Sequence, residues 1–142
     1  MPEVFVKNLH SRKRVRLQKI KGLAEKVLAG EKNRQNVNII LADDRYITRL
    51  NSKFLKKNRS TDVLAFGMNQ AKGMSPEADV LGEIYISLDR AEKQAKEYNQ
   101  SFQKEVHLLV AHGLLHLLGY DHKRKEQKMK MREKEETYLS SF

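Results

Sequence analysis

Three histidines in the last third of the chain have a spacing that is typical of a metal site. They lie in the segment His112-Gly113-Leu114-Leu115-His116-Leu117-Leu118-Gly119-Tyr120-Asp121-His122. On an α-helix, residues four apart share one face about 6 Å from each other, so the imidazoles of His112 and His116 can reach one cation. Gly119 can adopt the left-handed conformation that ends a helix and turns the chain back. We expect His122 to approach the same point from outside the helix, as a third ligand.

This set of ligands favours zinc. The chain has no cysteine, which excludes a disulfide, a thiolate metal site and a cysteine nucleophile. Three neutral imidazoles suit zinc, and nickel or another divalent ion remains possible. Structural zinc sites are usually closed by four protein ligands, whereas three ligands leave a position for water, so we interpret the metal as catalytic. Asp121 either closes the site or orients an imidazole from behind.

The histidine spacing equals that of the metzincin proteases, H-E-x-x-H-x-x-G-x-x-H, except at one position. Gly113 stands where those proteases carry the glutamate that acts as general base. A peptidase without that carboxylate would need another base, so peptide hydrolysis is disfavoured. The helix that carries the histidines is still expected to be metzincin-like.

The elements that must position the histidines follow from the hydrophobic pattern. Apolar runs predict strands over 3–6, 37–41, 61–66 and 81–87. Helical periodicity predicts helices over 12–28, from a cap at Asp43 or Asp44 to Phe54, and over 89–98, 102–118 and 123–139, with a loop over 67–79. The order β-α-β-α-β-β-α-α-α predicts an α+β fold, a small mixed sheet with helices packed on it, in one domain over 1–142.

The net charge of +10 is concentrated at the two ends of the chain. Residues 1–36 contain ten Lys and Arg against three Glu, residues 123–142 contain seven against four, and the middle is neutral. This pattern indicates a surface that faces a polyanion, or else a merely solubilising surface. His10, within the first basic region, is expected to contact solvent or a phosphate. No run approaches the roughly 18 apolar residues of a membrane span, and the N-terminus lacks a signal peptide, so we expect a cytoplasmic protein without a membrane partner.

Three segments of the chain resemble the motifs of a known family. The segment 112–122 resembles the signature H-G-x-L-H-x-x-G-Y-D-H of the YbeY family, metal-dependent endoribonucleases that act in ribosomal RNA maturation, at every fixed position. The segment 61–66 is similar to the family's P-T-D-V-L-S-F, with Ser60 in place of proline and Ala65 in place of serine. The segment 81–87 resembles L-G-D-I-x-I-S, with Glu83 in place of aspartate.

The resemblance implies a zinc-dependent, single-strand-specific endoribonuclease that acts in small-subunit rRNA maturation and ribosome quality control. The family places an arginine, thought to assist at the phosphate, where this chain has Leu55. Lys57 or Arg59 is the candidate to stabilise the phosphate charge instead, although this basic window is equally typical of a solvated helix end. The candidate RNA-binding residues are Lys53, Lys56, Arg12, Lys13 and Arg14.

Two other functions are compatible with the sequence. The first is a ribosome-associated RNA-binding factor in which zinc has only a structural role and stabilises the turn after the histidine helix. The second is a zincin-like hydrolase of peptides or small molecules, which Gly113 and the net charge of +10 disfavour.

Overall fold

The computed structural model describes residues 3–67, 79–121 and 123–142. Within these residues the chain forms four strands and five helices. In chain order they are β1 (Val4–Asn8), α1 (Leu17–Gly30), β2 (Asn36–Ala42), α2 (Asp44–Leu55), β3 (Val63–Gly67), β4 (Val80–Ser87), α3 (Leu88–Glu97), α4 (Phe102–Leu117) and α5 (Lys125–Leu139). This is the predicted order, and the predicted α+β class is confirmed. Residues 68–78 of the predicted loop lie outside the described residues.

The sheet is mixed, with the strand order β1-β2-β4-β3. β1, β2 and β4 run parallel, and β3 pairs antiparallel with β4 at one edge. Because side chains alternate along a strand, one face of the sheet carries the buried Ile39, Leu41, Ile84 and Ile86, and α1 and α4 cover that face. In the described ranges, none of the helices combines the length and the apolar character that crossing a bilayer requires.

Helix α4 occupies the centre of the molecule. It packs against β3, β4 and the helices α1, α3 and α5, which explains why its sequence is apolar on almost every side. Ser101 caps its N-terminus by accepting a hydrogen bond from the Lys104 amide at 3.1 Å. At its C-terminus, Gly119 adopts a φ of 103°. The amides of Gly119 and Tyr120 donate to the carbonyls of His116 and Leu115, which completes a Schellman turn directly after the histidines.

The start of α1 differs from the prediction. The helix was expected from Arg12 but begins at Leu17, five residues later. The reason is the buried imidazole of His10, whose Nδ1 accepts hydrogen bonds from the amides of Arg12 and Lys13 at 3.1 and 3.0 Å. The His10 side chain therefore satisfies the amides that the first turn of a helix would otherwise contain. The basic composition of this segment alone does not distinguish it from such a turn.

Gly113 lets α4 approach the sheet closely. A Cβ atom at this position would lie 2.9 Å from Cγ2 of Ile84 on β4 and 3.4 Å from Cγ2 of Val63 on β3. The first distance is shorter than ordinary van der Waals contact, so any side chain would push the helix away from the strand. The glycine therefore fixes the distance between the histidine helix and the wall that β3 and β4 form.

We predict opposite effects for two glycine substitutions inside helices. Gly113→Ala should lower the free energy of unfolding by about 1–2 kcal/mol because the methyl group overpacks the contact with β4. At Gly22 in α1, the nearest atom to a Cβ is 3.8 Å away. Gly22→Ala should therefore raise the free energy of unfolding by about 0.5–1 kcal/mol. Urea denaturation measures both, and an equal gain for the two variants would contradict the close packing of α4.

Candidate active site

Two of the predicted metal ligands line one cavity. His112 and His116 lie one turn apart on α4 and open into a cavity of about 360 Å³, which we call the histidine cavity. His112 is half-buried, whereas His116 is exposed. The other walls come from α4, β3 and the end of α2, and consist of Gly113, Val63, Leu64, Ala65, Leu55 and Lys57. The structure thus brings Lys57, a predicted phosphate-stabilising residue, to the same cavity as the two histidines.

A carboxylate from α5 orients the first histidine. Nδ1 of His112 lies 2.8 Å from Oε1 of Glu135, whose side chain is only 13% exposed. The hydrogen bond to Glu135 raises the pKa of His112, against the opposing effect of burial. With Nδ1 bonded to the carboxylate, Nε2 is the nitrogen with which His112 would bind a cation.

The groups that His112, His116 and Glu135 bring together fit a divalent metal. Two imidazoles one turn apart, one of them backed by a carboxylate, are groups that carboxylate–histidine–zinc sites use. No third His, Cys, Asp or Glu completes the group within 3–67, 79–121 and 123–142. His122, the predicted third ligand, lies outside the described residues. The ligation of a metal by all three histidines therefore stays a prediction.

Asp121 has an identified role in the turn after α4. Its Oδ1 accepts a hydrogen bond from the Lys123 amide at 2.9 Å, which shapes the chain on either side of position 122. The carboxylate bonded to Nδ1 of His112 comes instead from Glu135, a residue that sequence reasoning did not single out. Helix α5 carries four glutamates and five Lys and Arg residues, and the sequence offers no signal that separates Glu135 from the other glutamates.

The basic residues around α2 lie in two places. Lys57 lines the histidine cavity and also a neighbouring cavity of about 490 Å³, which Arg59 lines as well. Lys53 lies with its Nζ 5.5 Å from the centre of the Phe54 ring, and Lys56 ends α2 with a left-handed φ of 55°. Both lysines are exposed.

Two residues of the N-terminal basic region bond to the carboxylate of Asp89. The Lys13 Nζ donates to Oδ1 of Asp89 at 2.8 Å, and the ring Nε2 of His10 lies 2.9 Å from the same oxygen. The predicted contact of His10 with solvent or phosphate is wrong, because the residue is only 7% exposed and bonded on both nitrogens. Arg14 donates to the His10 carbonyl at 3.1 Å, and Arg12 is exposed.

Comparison with known proteins decides the family. The sequence profile of the endoribonuclease YbeY family matches residues 5–142. The chain belongs to the YbeY family. This membership confirms the enzyme class expected from the motifs, a nuclease that hydrolyses phosphodiester bonds.

Individual relatives agree with the YbeY assignment. The chain is 48% identical to "Endoribonuclease YbeY" of Desulforamulus reducens over 106 residues, which are 72% of this chain and 69% of the relative. It is 43% identical to "Endoribonuclease YbeY" of Fusobacterium nucleatum over 107 residues, 75% of this chain and 66% of the relative. The solution structure of TM1509 from Thermotoga maritima superposes with a TM-score of 0.70 at 32% identity, over 96% of this chain and 87% of that one.

Glu135 is expected to tighten metal binding in this YbeY-family centre. Glu135→Gln keeps the size of the side chain but removes the charge that orients His112 and makes it a better ligand. We expect zinc affinity to fall about 10- to 100-fold. The measurement is competition with a chromophoric chelator, and the control is Glu136→Gln, at the exposed neighbouring position. Equal affinity in both variants would show that Glu135 does not support the metal.

Asp89 should make stability depend on pH. Burial alone would raise the pKa of Asp89, but hydrogen bonds from Lys13, the Asp44 amide and His10 outweigh burial and hold the pKa well below the usual aspartate range. A lowered pKa stabilises the folded state above the ordinary value of about 4, and this contribution is lost as the pH falls below that value. We therefore expect Asp89→Asn to lower the free energy of unfolding by about 2 kcal/mol at pH 7 and by clearly less at pH 3.5.

Urea unfolding at the two pH values tests the role of Asp89. Asp79→Asn, at an exposed position, is the matched control. A loss for Asp89→Asn that is the same at both pH values would refute the electrostatic role.

Proposed function

We propose that this chain is a zinc-dependent endoribonuclease that cleaves single-stranded RNA in the cytoplasm. Its proposed task is the maturation of small-subunit ribosomal RNA and ribosome quality control, with residues 1–142 acting as one domain. The observation that carries the proposal is the shared cavity of His112, His116 and Lys57, with Glu135 bonded behind His112. A metal site beside a cation in an open cleft suits a phosphodiester.

The metal would be held by His112, His116 and His122, with Asp121 and Glu135 supporting the imidazoles from behind. When bound, zinc supplies Lewis-acid polarisation of a phosphoryl oxygen and acidifies a water. Three neutral ligands leave its double positive charge uncompensated, which suits an anionic substrate. Another divalent ion that favours imidazole would meet the same ligands.

The cations of the chain would share the negative charge of the phosphate. Lys57 lines the histidine cavity and is placed to stabilise the charge that develops at phosphorus. Leu55 is apolar where the family has an arginine, so that charge must come from Lys57 or from Arg59 in the neighbouring cavity. Either a water or the 2′-hydroxyl of the RNA could be the attacking group, and both mechanisms would use these cations in the same way.

The remaining basic residues would bind the RNA backbone outside the site. Lys53, Lys56, Arg12 and Arg14 contribute positive charge, and Lys13 contributes although Asp89 holds its ammonium group. Contacts of this kind neutralise phosphates without reading sequence, and they make binding weaken as salt increases. The ribosomal small subunit, whose RNA offers such a backbone, is the proposed partner.

Packing at Gly113 argues against the zincin-like peptidase. In those enzymes this position carries the general base, but here its Cβ direction leads into Ile84 of the sheet. A glutamate at this position would therefore be directed into the core.

His116→Ala provides the test of the proposed nuclease. The variant removes one imidazole from an exposed position, so the fold should survive while zinc binding and RNA cleavage are lost. We expect cleavage of a labelled unstructured RNA to fall at least about 100-fold, as it should in the wild type after chelation. Lys104→Ala, an exposed residue at the other end of α4, is the control.

Two results of that test would overturn the proposal. Unchanged RNA cleavage by metal-free protein would remove the metal from the reaction. A large fall in melting temperature after chelation, with cleavage of RNA absent both before and after, would favour the ribosome-associated factor in which zinc is structural.

A further inference from the structure

A second cavity adjoins the histidine cavity. We call it the arginine cavity; its volume is about 490 Å³, within the range of small-molecule sites. Leu55, Lys57 and Leu64 line both cavities, so the two cavities are neighbours near the end of α2. The remaining walls of the arginine cavity are largely polar, and consist of Asn51, Arg59, Ser60, Thr61, Asp62, Arg90 and Gln94.

Two polar atoms in the walls of this cavity have no hydrogen-bond partner. Among the residues that the structure describes, the buried side-chain atoms without a partner are Oδ1 of Asn51 and Nε of Arg90. Both residues line the arginine cavity. An unsatisfied buried polar atom costs about 1–3 kcal/mol, so two of them around one cavity point to a ligand that satisfies them.

The amide of Asn51 has a defined orientation. Its Nδ2 donates to the Arg59 carbonyl at 2.9 Å, which requires Oδ1, a pure acceptor, to be the other end of the amide. Asn51 is only 2% exposed, and its own carbonyl accepts from the Lys57 amide at 3.3 Å. Asn51 therefore holds the segment that carries both Lys57 and Arg59, and its Oδ1 requires a hydrogen-bond donor.

Arg90 needs the opposite partner, a hydrogen-bond acceptor for its Nε. Its Nε lies 3.6 Å from Oδ1 of Asp44, an ion-pair distance that is too long for a hydrogen bond. That carboxylate oxygen already accepts from the hydroxyls of Ser60 at 2.8 Å and Ser87 at 2.6 Å. The guanidinium is partly exposed, with 39% of its side chain accessible, and therefore retains a donor for an acceptor in the cavity.

The charge of the walls indicates the class of ligand. The cations Lys57, Arg59 and Arg90 outnumber the one lining carboxylate, Asp62, whose Oδ2 accepts from Nε2 of Gln94 at 3.2 Å. The walls therefore favour an anionic ligand. It needs an acceptor oxygen for Arg90 and a hydrogen-bond donor for Oδ1 of Asn51.

We propose that the arginine cavity binds one nucleotide of the RNA strand, next to the phosphodiester that is cleaved at the histidine cavity. A phosphate of this nucleotide contacts Arg90 and Arg59. A ribose hydroxyl or a base N–H donates to Oδ1 of Asn51. Both atoms are buried, so side chains around them must shift as the nucleotide enters. The identification of the ligand as RNA rests on the proposed function.

The test measures RNA binding without cleavage. Metal-free protein is titrated against a fluorescein-labelled single-stranded hexauridylate, and anisotropy gives Kd at several salt concentrations. Arg90→Gln should weaken binding about 5- to 10-fold. It should also lower the slope of log Kd against log salt by about 0.7, the value for one lost phosphate contact on a single strand.

The matched control is Arg49→Gln. Arg49 is exposed on α2 two residues before Asn51, which places it about 200° around the helix and away from the cavity. Binding by Arg90→Gln that equals binding by Arg49→Gln, with the same salt slope, would overturn the proposal. A wild-type protein that binds RNA but does not cleave it with zinc would refute the proposed nuclease and leave this binding result intact.

Modified RNA then identifies the donor to Asn51. Each uridine is replaced in turn by 2′-deoxyuridine, which removes a ribose hydroxyl, or by N3-methyluridine, which removes the base N–H. At one position, one of the two changes should weaken binding about 5-fold in the wild type. The same change should have no effect in Asn51→Ala, and melting curves establish that the variant is folded. An equal loss in both proteins would show that Asn51 does not contact the nucleotide.

Discussion

The close approach of α4 to the sheet at Gly113 is the constraint on which the site depends. Because no side chain separates the helix from Ile84, the next turns of α4 place His112 and His116 against β3 and the end of α2. A wider helix-to-sheet distance would separate the histidines from Lys57, which comes from another element. The glycine that stands where the metzincins carry their base is therefore also the residue that brings His112 and His116 close to Lys57.

Most of this arrangement could be predicted because it is local in sequence. The histidine spacing, the glycine turn and the apolar character of α4 are all encoded within 102–122, and the predicted end of α4 at 118 was one residue from the observed Leu117. The alternation of apolar residues likewise predicted each strand to within about two residues at either end. Local patterns suffice when the interactions that fix an element lie within it.

The features that could not be predicted depend on residues that are distant in sequence. His10 is joined to Asp89 across 79 positions, and this contact diverts the segment that was expected to begin α1. Glu135 reaches His112 across 23 positions from a helix whose charges look equivalent in sequence. In both cases a partly buried carboxylate bonds one nitrogen of the imidazole, and no periodicity in the sequence indicates that pairing.

Leu55, where the resemblance to the YbeY motifs would place an arginine, lies between the two cavities. Leu55 contributes apolar surface to both cavities, Lys57 also lines both, and Arg59 and Arg90 line the arginine cavity. The positive charge that one arginine would concentrate at the junction is thus distributed along the cleft. A polyanion that occupies several consecutive positions matches such a distribution better than an isolated phosphate does, because each cation can neutralise a different phosphate.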